Sequence, residues 1–257
     1  MVKIARYGWK RGLPDFRVEK FVRPTHLAAG LPAKVDLTNL CPPVYDQGNL
    51  GSCTANAGAG LAQFLTDKLK MKDYFPCRLA IYYWERALEG SVDQDSGASL
   101  SDCMKVLSTN GAPNESLMPY DINKFTNAPS QAVINNGKLH VVGSPLQVAQ
   151  DLNDMKSVLA AGYPFVFGFT VYESFESDAV ANTGIMPMPG RSEQVLGGHA
   201  VMAVGYDDST GYFKVRNSWG RGWGQAGYFQ MPYQYITDSN LADDIWTSHS
   251  ITGYRPH

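Results

Sequence analysis

The spacing of apolar and polar positions changes character along this chain, and each change predicts a different element. From Val44, the segment VYDQGNLGSCTANAGAGLAQFLTDKLK passes from a glycine-broken loop into about five turns of small and apolar residues, which predicts a helix opening at Cys53. Asp73 to Pro76 end that run. Arg78 to Leu88 (RLAIYYWERAL) then reads as a second, amphipathic helix, and Leu100 to Leu107 as a third, after the turn residues Asp95, Ser96 and Gly97. Beyond Pro119 the composition shifts toward Asn, Pro and Gly and the pattern becomes mostly that of strands. Lys138 to Val142 is expected as a strand, Gln147 to Ala161 as a helix ended by Gly162, and Pro164 to Val171 (PFVFGFTV) as an apolar strand. His199 to Tyr206 and Tyr212 to Asn217 alternate around a Gly-containing turn, as a hairpin does, and Gly227 to Met231 is a further strand. Met1 to Gly30 is polar, basic and interrupted by Gly8, Gly12, Pro14 and Pro24, so it reads as an extended arm with little regular structure.

This order gives an α+β class with a division into an arm, residues 1–30, and a larger unit, residues 31–257. The larger unit splits into a helical half, about 31–120, and a β-rich half, about 121–257. At 257 residues, 44% hydrophobic content and a formal net charge of -2, the chain is long enough for two halves sharing an interface. Its near-neutral charge supplies no basic field for nucleic acid. No run reaches the ~18 apolar residues of a membrane span, and Met1 to Lys10 lacks the apolar core of a signal peptide. The sequence therefore predicts a soluble protein, with the cytoplasm and export after processing both open. Four cysteines occur, Cys41, Cys53, Cys77 and Cys103, without the CxxC spacing of a zinc site or a redox dithiol. If Cys53 stays free for chemistry, the other three allow at most one bridge, and they read mostly as small buried apolar groups.

A cysteine attacks a carbonyl as the thiolate, which a helix N-terminus and a neighbouring imidazolium both favour. Cys53 has the first from local sequence. Among His26, His140, His199, His249 and His257, the best placed is His199, which opens an alternating apolar strand directly after Gly197 and Gly198. An imidazole base needs its other nitrogen held, and Asn217, at the end of the paired strand, suits that role. The next residues bring Trp219, whose indole is suited to exclude water from that bond. An oxyanion needs donors, and Gln47, on the Gly-rich loop before Cys53, is positioned to join the Cys53 backbone N–H.

In order and spacing, Gln47-x5-Cys53, Gly198-His199-Ala200 and Asn217-Ser218-Trp219-Gly220 resemble the three signature blocks of the papain family of cysteine peptidases. LPAKVDL at Leu31 to Leu37 is similar to that family's mature N-terminus, and GRGWGQAGYFQM at Gly220 to Met231 to the stretch after its asparagine. CPPVYDQGNLGSCTANA looks more like the bacterial branch than the plant or lysosomal enzymes. The resemblance implies a papain-like fold, a helical left half and a β-barrel-like right half with the active-site cleft between them. It implies Cys53 as nucleophile, His199 as acid and base, Asn217 as orienter, Gln47 as oxyanion donor and Trp219 as shield, with no metal or organic cofactor. Gly97 and Ala98 would hold a peptide or protein substrate as an added strand. Leu100 would line the pocket for the second residue before the cut, opposite Gly198 and Ala200, and such an apolar pocket would prefer apolar side chains. The paired histidines of one exopeptidase branch are missing, which favours endopeptidase action.

Two departures stand out. The CGSCW block of papain-type enzymes reads Leu50-Gly51-Ser52-Cys53-Thr54 here, without the disulfide cysteine or the following aromatic. The long helical propeptide typical of the family is also absent from this chain. The arm is then either a smaller, pro-segment-like autoinhibitor, with Gly8 to Arg23 over the cleft, or a strap across the two halves. Lys10, Arg11 and Arg17 interleaved with Trp9 and Phe16 motivate the first reading. Two other functions stay open on sequence alone: a transglutaminase-type acyltransferase using the same thioester, and a non-catalytic binding protein on the same fold.

Overall fold

The computed structural model describes residues 7–12, 17–28, 30–72 and 74–252. The helices are α1 (Thr25–Ala28), α2 (Cys53–Lys68), α3 (Arg78–Leu88), α4 (Leu100–Thr109), α5 (Gln131–Gly137), α6 (Leu152–Ala160), α7 (Asp178–Thr183) and α8 (Tyr233–Thr237). The strands are β1 (Lys34–Asp36), β2 (Leu146–Gln147), β3 (Phe165–Tyr172), β4 (Val195–Asp207), β5 (Tyr212–Arg216), β6 (Tyr228–Pro232) and β7 (Ala242–Thr247). They form one antiparallel sheet in the order β2-β7-β3-β4-β5-β6, with β1 pairing on β4. The fold is thus of the α+β class that the sequence implies, with helices packed on an antiparallel sheet.

Side-chain alternation along the two central strands divides the interior. Phe165, Phe167 and Phe169 of β3, with Val201 and Ala203 of β4, enter an aromatic-rich core under the sheet. Val166 of β3, with Ala200, Met202 and Val204 of β4, faces the other way into the core of α2, α3 and α4. α2 is covered on all sides, which explains its small residues. A Cβ on Gly58 would lie 2.4 Å from Cys103 Sγ, and one on Gly60 2.8 Å from an Arg216 guanidinium nitrogen. Each glycine costs roughly 1 kcal/mol of helix propensity relative to alanine, and the close approach of α4 and β5 requires it.

Two sequence expectations need correction. Lys138 to Val142 is not a strand: Lys138 caps α5, His140 N donates to Gly137 O in a turn, and only Val142 makes a bridge, to Ile251. The helix expected over Gln147 to Ala161 starts at Leu152. Gln147 lies in β2, paired with Trp246, and the Asp151 carboxylate accepts from Asn153 N and Asp154 N to begin α6. The arm also holds more structure than expected, with α1 and a bridge from Lys20 to Gln147. Pro14 and Phe16 lie outside the described residues, as do Met1 to Arg6 and His257.

All four cysteines are free, Cys41 half-buried and the others buried. Among the described residues no helix is long and apolar enough to cross a membrane. Glu85 of α3 is wholly buried, accepting from Thr54 Oγ1 at 2.8 Å, and burial pushes its carboxyl up to about 8. The folded carboxyl thus keeps a proton that the unfolded chain releases at its ordinary 4.5. Its contribution to stability is complete below that value and is lost as pH rises toward 8. Glu85→Gln keeps an acceptor for Thr54 without the ionisation. Its Tm is expected to exceed that of the parent by a few degrees at pH 8 and to match it near pH 4.5, as read by thermal unfolding across pH.

Candidate active site

Cys53 is the first residue of α2 and fully buried. The loop before it is tied to the loop after β5. Gln47 N donates to Ser218 O at 2.9 Å, Gly220 N to Tyr45 O at 2.9 Å, and Asp46 bridges Trp219. Between these strands of backbone the Gln47 side chain accepts from Ser218 Oγ at 2.6 Å and donates to Leu50 O at 2.9 Å. The segments that carry Cys53 and Asn217 are therefore fixed to each other directly.

His199, on β4, lies opposite Phe169 of β3 and is fully buried. Its Nε2 is 2.8 Å from Asn217 Oδ1. The same oxygen accepts from Ser218 N at 2.8 Å, which identifies it as the carbonyl end of the amide. Nε2 must then carry the proton, and Nδ1, which has no partner among the described residues, keeps its lone pair. Trp219 stacks on the imidazole at 4.9 Å and 26°, covering the His199–Asn217 bond. Burial lowers His199 to about 4, against the pull of Asn217, and burial pushes Cys53 up to about 12, against the N–H groups of Ala200 and Gly8. As it stands, the pair is a neutral thiol and a neutral imidazole.

Gly97 and Ala98 lie beside this centre, Gly97 at φ +70° and Ala98 fully buried at the foot of α4. They are braced in a way that the sequence motifs did not announce. The Asp95 carboxylate accepts from Gly51 N at 3.0 and 3.2 Å and from Tyr82 Oη at 2.5 Å, and Tyr82 Oη in turn accepts from Gly97 N at 3.0 Å. Next to Leu50, where a disulfide cysteine is missing, a half-buried carboxylate thus links the Cys53 loop to the Gly97 turn. Asp95 stood in the motif as a turn residue, and nothing local distinguishes a turn carboxylate facing water from one facing a backbone N–H.

The arm runs through the cleft. Ala98 N donates to Gly8 O at 2.7 Å, Lys10 N to Ala98 O at 3.0 Å, and Trp9 N to Gly198 O at 2.9 Å. Gly8 passes so close to Gly51 that a Cβ on it would sit 1.8 Å from Gly51 O. Tyr7 stands edge-on to the His199 ring at 6.1 Å, and its hydroxyl donates to Glu176. The Trp9 side chain, 7% exposed, fills the pocket bounded by Leu100, Gly168 and Gly198, and its Nε1 donates to Asp244 Oδ2 at 3.2 Å. Beside the apolar Leu100, a buried carboxylate stands at the base of this pocket: Asp244 also accepts from Leu100 N at 2.8 Å and Trp246 Nε1 at 2.6 Å. The one available signal was the charged pair Asp243-Asp244 inside the otherwise apolar strand LADDIW.

The other histidines among the described residues are elsewhere. His140 stacks on Tyr74 and His249 on Tyr163, at 4.2 and 4.1 Å, and His26 is exposed.

Comparison with known proteins agrees with this geometry. Residues 31–248 match the family model described as papain family cysteine protease. The chain is 43% identical over 216 residues to a peptidase C1-like protein of Acanthamoeba polyphaga mimivirus, covering 80% of this chain and 70% of that one. It is 30% identical over 218 residues to a cathepsin B-like protein of Giardia intestinalis, covering 80% and 68%. Among solved structures it superposes on xylellain, a cysteine protease from Xylella fastidiosa, with a TM-score of 0.91 and 39% identity over 99% of this chain and 98% of that chain. With a family match spanning both the helices and the sheet, the chain belongs to the papain family of cysteine proteases and is a cysteine peptidase.

Proposed function

We propose that Cys53 is the nucleophile of this peptidase, that His199 exchanges protons through Nδ1, and that Asn217 orients the ring. The observation that carries this reading is the His199 Nε2–Asn217 Oδ1 bond, which leaves Nδ1 as the basic nitrogen on a strand whose next residue, Ala200, directs its backbone N–H at Cys53. The Cys53 proton passes to Nδ1 and the thiolate adds to the scissile carbonyl carbon. The oxyanion is met by the Cys53 backbone N–H and the Gln47 amide. Collapse breaks the C–N bond, Nδ1–H protonates the leaving amine, and a thioester remains. Water, deprotonated by Nδ1, attacks the thioester; the C–S bond breaks and Cys53 is regenerated. Trp219 keeps bulk water from the Asn217 bond, Gly97 and Ala98 pair with the substrate backbone, and Leu100 and Gly198 wall the pocket for the second residue before the cut. The action is endopeptidase, since among the described residues no histidine pair closes an end of the cleft.

Within the same reading, residues 7–12 of the arm are autoinhibitory. They take the backbone partners on Ala98 and Gly198 that a substrate strand would need, and they dry the thiol and imidazole, which disfavours the charged pair. The backbone N–H of Gly8 is directed at the Cys53 sulfur. The later arm has another task. Phe21 is buried and Arg23 pairs with Asp154 at 2.7 Å, so removing all of residues 1–30 would strip packing from α6 along with the plug.

Full-length Trp9→Ala protein, treated briefly with iodoacetamide and mapped by mass spectrometry, is expected to carry label on Cys53 ahead of Cys41, Cys77 and Cys103. It is also expected to cut end-blocked peptides internally. Peptides that gain an added amine without being cut would indicate an acyltransferase. An unlabelled Cys53 with no turnover would indicate a binding protein and overturn the proposal.

A further inference from the structure

Catalysis fixes where the residue after the cut must lie. His199 protonates the leaving amine, so that residue sits against the imidazole, on the far side of Cys53 from the pocket that Trp9 fills. Tyr7 of the arm occupies this place. Its ring stands against those of His199 and Trp219 at 6.1 and 6.3 Å, and a Cβ on Gly197 would lie 2.7 Å from Tyr7 Cβ. The far end of the space is a carboxylate: the Tyr7 hydroxyl donates to Glu176. Glu176 closes the single 3-10 turn Glu173–Glu176 after β3, and Phe175, buried against Trp219 and Phe229 at 5.5 and 5.2 Å, anchors that turn. The neighbouring carboxylates are committed elsewhere. Glu173 accepts from Gln194 N at 3.2 Å and Glu193 from Ser174 N at 2.9 Å, each tying the turn to the loop before β4. Glu176 accepts from Tyr7 alone among the described residues, no Lys or Arg of those residues pairs with it, and burial holds its carboxyl above the ordinary value. When the arm lifts, this half-buried carboxylate faces the cleft with neither donor nor countercharge.

We infer that Glu176 is a specificity-determining residue for the first residue after the cut, selecting lysine and tyrosine, whose terminal donors reach as far as the Tyr7 hydroxyl, over norleucine and phenylalanine. The inference rests on the reading of Cys53 as nucleophile and of His199 as the acid that meets the leaving amine. A tyrosine there restores the bond seen with Tyr7, a lysine adds the countercharge that the place lacks, and an apolar side chain of equal length does neither. Because Glu176 is half exposed, water makes up part of that loss, and the selection is moderate.

The test uses full-length Gly8→Val protein, whose added side chain cannot pass Gly51 O, and internally quenched, end-blocked peptides that differ only at the residue after the cut. Mass spectrometry of the products fixes the position of the cut. Lysine is set against norleucine and tyrosine against phenylalanine. The expected kcat/KM ratio is about 5 to 20 in favour of the donor in both pairs. In Gly8→Val/Glu176→Gln the lysine ratio should fall toward 1, since the charge is gone, whereas the tyrosine ratio should fall less, since an amide oxygen still accepts. Equal rates within each pair, or a lysine preference unchanged by Glu176→Gln, would overturn the inference and leave Glu176 as a holder of Tyr7 only, with the peptidase reading intact. No turnover of any peptide would overturn both. If the Glu176 variant does not fold, the two ratios in the Gly8→Val protein decide the matter alone.

Discussion

Full-length protein carrying Gly8→Val is expected to react with iodoacetamide at Cys53 about 100-fold faster than the parent, and to gain peptidase activity in proportion. The cause is steric and local. A Cβ at position 8 meets the Gly51 carbonyl oxygen at 1.8 Å, and that oxygen belongs to the braced loop before α2, which cannot yield without disturbing Asp95 and Tyr82. The arm must lift, and lifting it forfeits the backbone bonds to Ala98 and Gly198 and the burial of Trp9. Burying one large apolar side chain is worth roughly 1.5–3 kcal/mol, and 1.4 kcal/mol is a factor of about ten in population, so a closed state favoured about 100-fold is a reasonable scale. Chemistry adds to access. With the arm seated, burial holds Cys53 near 12 and His199 near 4, so neither is charged at neutral pH; once water reaches them, the thiolate–imidazolium pair becomes accessible. Lys10→Ala is the contrasting variant. Its ion pair with Glu89 lies on the surface, and its loss should change the alkylation rate by no more than about 2-fold. Alkylation of Gly8→Val at the parental rate would mean that the arm does not limit access.

What the sequence made legible is what local pattern can encode. The apolar, small-residue run after Cys53, the period of RLAIYYWERAL and the alternation on both sides of the Gly211 turn lie where α2, α3, β4 and β5 form, because each pattern matches a face that is then buried. The order Gln47, Cys53, His199, Asn217 was readable because each residue sits in its own short block, and the fold brings His199 and Asn217 to hydrogen-bonding distance. What the sequence hid depends on partners distant in the chain. Gln147 leaves a helical pattern because β7 offers it a strand partner almost 100 residues later. Asp95 becomes a brace only because Gly51 N and Tyr82 Oη arrive beside it. Asp244 becomes the base of a pocket only through a bulge against β3. The arm resembled an unstructured tail because its hydrogen bonds go to Ala98, Gly198 and Gln147, and no local periodicity records a strand paired singly on each side.

In the arm-released protein, Cys53→Ala and His199→Ala should each lower kcat/KM on peptides by at least about 10⁴-fold, and the double variant should lose little more than either alone. The non-additivity is the informative part. A thiol without its base stays protonated at neutral pH, and a base without its nucleophile has no acyl-enzyme to form, so the two residues act as one unit and removing either removes the covalent route. Asn217→Ala should behave differently. The Trp219 stack and the packing of Phe169 still hold the ring plane, so the loss is in tautomer and orientation, with an expected fall of about 10- to 100-fold in kcat. Combining Asn217→Ala with His199→Ala should add nothing beyond the His199 effect, since the amide works only through the imidazole. Stopped-assay kinetics on one end-blocked peptide, with folding of each variant checked by thermal unfolding, measures all of these. Multiplicative losses in Cys53→Ala/His199→Ala, or turnover by Cys53→Ala at the parental rate, would require a nucleophile other than the thiol at the start of α2.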